Sequence, residues 1–388
     1  MGGAEQHGLF LAIALANLGN QVYYSGRKNG SFQHPVDLVL KTVRTPFSVA
    51  DKGFIAYLIK FALGNLLTVI SAVKTLHRQS FDIIHVHSTF AACVLTNFQR
   101  LYRRRVPVIL TVHDPPPNFH IFGPVERTFR ALNFYLFDFH AYRNADGLIC
   151  VSNSIRSLLL HRFRADPDKT IFLPNGFSEA AWDNLSGSGL SLHETPIPKI
   201  MPKRYSVFVG KIVRRKGLGY LLELGKLLES RGIKMVIVGD GPDLDSFKRS
   251  VVRNGREQNT ILTGRLTQEQ VCSVLSNALA FIHTSLQDGM PTSVLEAMWM
   301  GIPPISFRTP SVDGVIANNK NGFLVEIGDV DEMLKVLCTL ERNQDLWQKI
   351  SMNAHRTILD NFTWQKLALK VMEVYRLSIV RGKPASQT

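Results

Sequence analysis

Short runs of β-branched and aromatic residues alternate with helix-length stretches along this whole chain, and that alternation restricts the fold more than any other feature. Strands that are each followed by a helix pair in parallel through βαβ crossovers, with helices covering both faces of the sheet. In the first half the strand candidates are "QVYYS", "VDLVLKTV", "FDIIHVH", "VPVILTVH", "GLICVS" and "TIFLPNG". After residue 200 a second set follows: "YSVFVG", "KMVIVGD", "NTILTG", "LAFIHTS", "PPISF" and "GFLVE". Each set makes a Rossmann-like sheet by itself, and 388 residues suffice for two domains with separate cores. The Gly-, Ser- and Pro-rich stretch at 184–203 reads as the linker. It would join a domain over 1–183 to one over 204–360, with a closing helix over 361–381. Two such domains facing each other leave a cleft at the carboxyl ends of their strands, where open α/β sheets bind ligands.

The chain opens on "MGGAEQHGLF". Gly2-Gly3-Ala4-Glu5 reads as a tight loop entering a helix over residues 9–18, with Gly19 as its stop. Free N–H groups and the helix dipole make such a start an anion site. A loop of this kind ordinarily follows a strand. The expectation is that a first strand lies upstream of Met1.

Charge points to partners. The formal net charge is +14, and the densest basic run, "QRLYRRRVP", holds Arg100, Arg103, Arg104 and Arg105. It is either a solvated helix end or a dock for acidic phospholipids, where each basic residue contributes about 1 kcal/mol. No RNP, zinc-finger or aromatic-interleaved basic motif accompanies it, so nucleic acid is not an expected partner. The stretch at 54–73, "FIAYLIKFALGNLLTVISAV", carries Lys60, Gly64 and Asn65, and reads as a buried or membrane-skimming helix rather than a span. Cys93, Cys150, Cys272 and Cys338 lack metal-ligand spacing and fit reduced core residues. The expected location is cytoplasmic, peripheral at the inner face of the cell membrane.

The strongest chemical signal is "SLQDGMPTSVLEAMWMGIPPIS", residues 285–306. A strand ends, a loop follows, and a helix starts near Thr292, with Asp288 in the loop and Glu296 a turn into the helix. The helix start offers N–H groups to a phosphate, and Glu296 offers a carboxylate to a vicinal diol. A ribose joined to a diphosphate meets both.

This stretch resembles the E-x7-E region of the retaining glycosyltransferases of family 4, and the resemblance covers almost the whole chain. "GGAEQHGLFLAIALANLGNQV", "FDIIHVHS", "VILTVHD", "LICVSNSI", "LPNGF", "FVGKIVRRKGLGYLLE", "VIVGDGP", "ILTGRL", "NGFLV" and "FTWQKLALKVMEVYRL" follow in the family's order. It implies a GT-B fold, two Rossmann-like domains with the last helix crossing back to the first. It also implies transfer of a sugar from a nucleotide diphosphate sugar, with retention at the anomeric carbon.

Residue by residue, the resemblance places Lys211 and Lys216 against the donor diphosphate, with Arg215 able to share the role. Fixed cations there stabilise the leaving group as it gains charge. His113 is expected at the donor sugar, positioning it and stabilising the transition state rather than acting as a base. Glu296 is expected on the ribose and Asp288 on the transferred sugar, where the family usually has Glu. Gly2, Gly3, Gly210, Gly264, Arg265, Gly289, Met290 and Thr292 complete the expected donor site. The lysines and helix dipoles take a cation's place, so no metal and no cofactor are expected; Asp166 with Asp168, and Asp243 with Asp245, read as caps or turns. The acceptor is expected to be a glycan or lipid-linked molecule of surface polysaccharide or glycolipid synthesis. Two other classes stay in view, a degenerate GT-B binding protein and a GT-B nucleotide-sugar epimerase. A dinucleotide oxidoreductase is disfavoured because "GDGPDL" lacks the third glycine.

Overall fold

The computed structural model describes residues 3–27, 39–43, 54–99, 105–114, 124–179, 182 and 205–382. The chain divides into two compact units, Met1–Gly176 with Trp364–Thr388, and Phe177–Thr363. The proposed linker at 184–203 lies outside the described residues. Every strand candidate read from the sequence holds a strand, and every strand pairing is parallel.

The first unit contains β1 (Tyr23–Arg27), β2 (Val39–Val43), β3 (Ile84–Val86), β4 (Val108–Val112), β5 (Gly147–Cys150) and β6 (Thr170–Phe172). β3 to β6 form a four-stranded sheet in sequence order, while β1 and β2 form a separate two-stranded sheet. β4 and β5 are buried at every position, which is why "VILTV" and "GLIC" are apolar runs rather than alternating ones. The first helix, Gly3–Asn17, packs Leu11, Ala14 and Leu15 onto Ile109 and Ile149 of this sheet. Gly19 then ends it with φ of 85°. The helix starts earlier than the sequence reading places it. Gly3, Ala4 and Glu5 form its first turn instead of a preceding loop, because Ala4 to Gln6 are good helix formers. Gly2 lies outside the described residues.

The last helix, Trp364–Gly382, belongs to this same unit. Trp364, Leu367, Ala368, Val371, Val374 and Tyr375 recur at helical spacing and fill the core beside Leu11 and Leu15. Among the described residues, no helix is long and apolar enough to cross a membrane; the stretch from residue 54 lies in one helix, Phe54–Arg78.

The second unit contains β7 (Tyr205–Val209), β8 (Lys234–Val238), β9 (Thr260–Gly264), β10 (Ala280–His283), β11 (Pro304–Phe307) and β12 (Phe323–Val325). They lie in the order β12-β11-β10-β7-β8-β9. This is the doubly wound order, and its direction of winding reverses between β7 and β10. Crossovers leaving those two neighbours go to opposite sides, which opens a crevice at their carboxyl ends. Helix Leu218–Glu229 seals one face by burying Leu218, Leu221, Leu224 and Leu228.

Candidate active-site residues

In the second unit the loops after β7 and β10 meet at that crevice. The loop after β7 ends in a helical turn, Arg214–Lys216, followed by Gly217 with φ of 73°. A side chain at Gly217 would run into the Thr284 carbonyl, so glycine is required for the two loops to touch. Thr284 Oγ1 donates to the Lys216 carbonyl at 2.8 Å, and Leu286 N donates to the Arg215 carbonyl at 2.9 Å. The contact fixes where both cations point.

They point at Asp288. Lys216 Nζ donates to its two carboxylate oxygens at 2.8 and 2.6 Å, and Arg215 Nη1 donates to Oδ1 at 2.9 Å. Buried His283, the last residue of β10, donates from Nε2 to Oδ2 at 3.2 Å, while its Nδ1 lies 2.9 Å from Ser306 Oγ on β11. Burial alone would raise the Asp288 carboxyl. The His283 hydrogen bond and the Lys216 charge overcome it and hold the group far below the usual carboxylate range. Burial lowers His283, which Asp288 only partly offsets. The lysine and the aspartate expected on different parts of a ligand are therefore hydrogen-bonded to each other.

Gly289 and Met290 are buried, and helix Thr292–Trp299 follows with Pro291 as its cap residue. Among the described residues, the N–H groups of Gly289 and Thr292 have no acceptor in the chain. Glu296 sits one turn into that helix, and among the described residues its carboxyl has no hydrogen-bond partner. Burial pushes it up to about 7. Lys211 and Arg265 are exposed after β7 and β9, with no ion-pair partner among the described residues. Gly210 donates its N–H to the Val238 carbonyl, and Gly264, with φ of 72°, ends β9 in open space. Asp166 accepts from Asp168 N at 3.0 Å and so caps its own turn as read, whereas Asp243 makes no side-chain cap to the helix it opens and accepts instead from Arg214 N, 29 residues away, at 2.8 Å.

The first unit holds a different cluster. His113, just past β4, lies with His85 and His87 of the β3 end and His7 of the first helix. His87 Nδ1 and His113 Nε2 are 3.0 Å apart, and the His7 ring stands edge-on to His113 with centroids at 4.6 Å. His7 Nδ1 donates to Asn175 Oδ1 at 2.9 Å. His85 stacks on His87 at 4.7 Å, and its ring nitrogens lie 2.6 Å from Tyr375 Oη and 2.7 Å from Thr111 Oγ1. Gly8 leaves room for the His87 ring, which a methyl group there would crowd at 3.2 Å. Burial, then mutual repulsion, lowers every member: His87 and His113 to about 3, His7 and His85 well below their ordinary value. The four rings are neutral at physiological pH.

Sequence reasoning singled out His113 and missed His7, His85, His87 and His283. The "HVH" spacing carried a signal, since residues two apart share a strand face. Of the arginine run, Arg100, Arg103 and Arg104 lie outside the described residues. Arg105 is not a free cation: it donates to Asp146 Oδ1 at 2.6 Å, and Asp146 also accepts from Val108 N, which pins the start of β4.

Residues 194–357 match the family model "Glycosyl transferases group 1", and residues 1–180 match "Glycosyltransferase Family 4". An Escherichia coli UDP-Gal:alpha-D-GlcNAc-diphosphoundecaprenol alpha-1,3-galactosyltransferase is 26% identical over 323 residues, covering 81% of this chain and 80% of its own. Sucrose-phosphate synthase of Thermosynechococcus elongatus superposes with a TM-score of 0.75 at 18% identity, over 98% of this chain and 94% of that one. Anabaena HepE in complex with UDP gives a TM-score of 0.69 at 18% identity, over 97% and 96%.

Proposed function

We infer the reaction from the family: this chain belongs to the glycosyl transferases of group 1 and has the GT-B fold. It is a glycosyltransferase, related to enzymes of polysaccharide and glycolipid assembly. The proposed reaction moves a sugar from a nucleoside diphosphate sugar to a lipid-linked or glycan acceptor, with retention and without a metal.

One observation carries this reading. At the β7/β10 switch point, two cations meet N–H groups at a helix start and a carboxyl that have no partner among the described residues, all within one unit. Lys216, Arg215 and Lys211 suit a diphosphate, whose charge grows as the glycosidic bond breaks. Glu296 suits a ribose diol, which would supply the hydrogen bonds its carboxylate lacks. Asp288 already occupies Lys216 and Arg215, so a bound diphosphate shares both cations with it. In this reading Asp288 sets the cations' position as well as facing the sugar. His113 contributes a neutral ring to the sugar, as a hydrogen-bonding and positioning group. UDP is the first nucleotide to try, since the similar HepE structures hold UDP and UDP-glucose.

An anionic membrane surface fits a lipid-linked acceptor. It is supported by Leu132, Tyr135 and Leu136, exposed at 56%, 66% and 51% across the end of helix Pro124–Asn133 and the turn after it. Exposed aromatic and aliphatic side chains at helical spacing favour the headgroup boundary.

The test is a panel of nucleoside diphosphate sugars with a sugar-diphosphopolyprenol acceptor, run with and without EDTA. Transfer should appear with one or two donors, persist in EDTA and give a product of the donor's anomeric configuration by NMR. Nucleotide binding without transfer or donor hydrolysis across the panel would make the chain a binding protein.

A further inference from the structure

We propose that His7, His87 and His113 form a binding site for a transition-metal ion of the zinc type. Each offers one ring nitrogen, and the three nitrogens lie within 4.8 Å of one another. Zinc–imidazole bonds of about 2.0–2.1 Å require ligand atoms roughly 3.3 Å apart in a tetrahedron. The His87 Nδ1 to His113 Nε2 separation is already 3.0 Å, so small ring rotations close the set.

Two features distinguish this group from histidines packed by chance. First, Asn175 Oδ1 can only accept, so His7 Nδ1 carries the hydrogen and the Nε2 lone pair is left for a ligand. Metal-bound histidines are oriented in this way, by an oxygen acceptor on the other ring nitrogen. Second, the fourth histidine is excluded from coordination: His85 has both nitrogens engaged by Tyr375 and Thr111, and its ring stacks against His87 as a fixed wall. His7 stands on a helix, and His87 and His113 each lie one residue past a strand, where the sheet anchors their backbone.

The donor set selects the metal. Three imidazoles without a carboxylate or thiolate suit zinc, copper or nickel, and not magnesium or calcium. His87 and His113 are each partly exposed, so the cluster is not wholly enclosed. A metal on His113 excludes a sugar from the same ring, which makes the site inhibitory. That consequence, unlike the site itself, rests on the proposed function.

Binding is read without donor or acceptor. The full chain, stripped with EDTA, should take up one Zn2+ in calorimetry. With Co2+ it should give the intense visible bands of a four-coordinate nitrogen site. His7→Gln and, through lost orientation, Asn175→Ala should each weaken Zn2+ binding at least about tenfold, while His85→Gln should keep it within a fewfold. The wild-type Co2+ spectrum needs no variant to fold. Weak octahedral Co2+ bands, or Zn2+ affinity unchanged by His7→Gln, would overturn the site. Zn2+ should inhibit transfer at the concentration where it binds, with EDTA restoring it; binding without inhibition would overturn the inhibitory consequence and leave the site standing.

Discussion

The two clusters stand on the same kind of scaffold, the carboxyl ends of parallel strands, yet they hold opposite chemistry. In the first unit, four imidazoles crowd together and are kept neutral by burial and by one another. In the second, charges are kept: Asp288 stays ionised against Lys216 and Arg215, while Glu296, with no partner among the described residues, is pushed toward neutrality. The difference lies in what each neighbour supplies. A buried group surrounded by its own kind loses charge, and one facing an opposite charge keeps it. Neutral polar rings suit sugar hydroxyls; fixed charges suit a diphosphate.

The largest effect expected from breaking this contrast is at Asp288. Asp288→Ala leaves Lys216 and Arg215 side by side without a counter-charge and should destabilise the second unit by about 3–5 kcal/mol. Urea unfolding, with hydrogen exchange to assign the loss to residues 177–363, measures it. A loss below about 1 kcal/mol, the range of exposed pairs, would show that charge pairing does not order this unit.

Glu296 gives the next largest effect, and its sign is opposite. Its folded-state pKa, about 7, lies above its ordinary 4.5, so the folded chain binds the extra proton between those values. Stability from this group is therefore present below about 4.5 and is lost as pH rises through 7. The full shift corresponds to on the order of 3 kcal/mol. Glu296→Gln should accordingly stabilise the chain at pH 8 relative to wild type and not at pH 4.5. A nucleoside diphosphate sugar, whose bridging diphosphate does not titrate in this range, should bind wild type more tightly as pH rises from 6 to 8, and Glu296→Gln with little pH dependence.

The neutral cluster should respond less. His85→Gln removes hydrogen bonds but strands no charge, at an expected cost of about 1–2 kcal/mol, assigned by exchange to the first unit. The smallest effect is at Arg215, whose side chain is 36% exposed. Arg215→Gln should change stability by less than about 1 kcal/mol. Its cost should fall with added salt, and that of His85→Gln should not.

The fold was legible because doubly covered parallel strands are written as apolar runs: β4, β5, β10 and β11 are buried at every position. The site was legible as residue types and not as pairings. Lys216 and Asp288 were both singled out, but they stand 72 residues apart, and only the exchange of neighbours at β7 and β10 brings them together. The histidine cluster was hidden for the same reason. His7, His87 and His113 come from a helix and the first residues past two strands, and each alone reads as an ordinary structural histidine. Gly3 was misplaced in a loop because glycine pairs signal turns, whereas the helix formers after it draw it into the first turn.

The proposed function gives the charged cluster the nucleotide and makes His113 matter for transfer but not for nucleotide affinity. Calorimetry of UDP on Lys216→Ala and His113→Ala, beside a transfer assay, tests it most directly. Losing a hydrogen bond to a charged group costs about 1.5–3 kcal/mol, roughly 10- to 150-fold in affinity. Lys216→Ala should weaken UDP by that factor, whereas His113→Ala should leave UDP affinity within a fewfold while transfer falls by roughly 100-fold or more. UDP affinity lost as badly in His113→Ala as in Lys216→Ala, or unchanged in Lys216→Ala, would contradict the division.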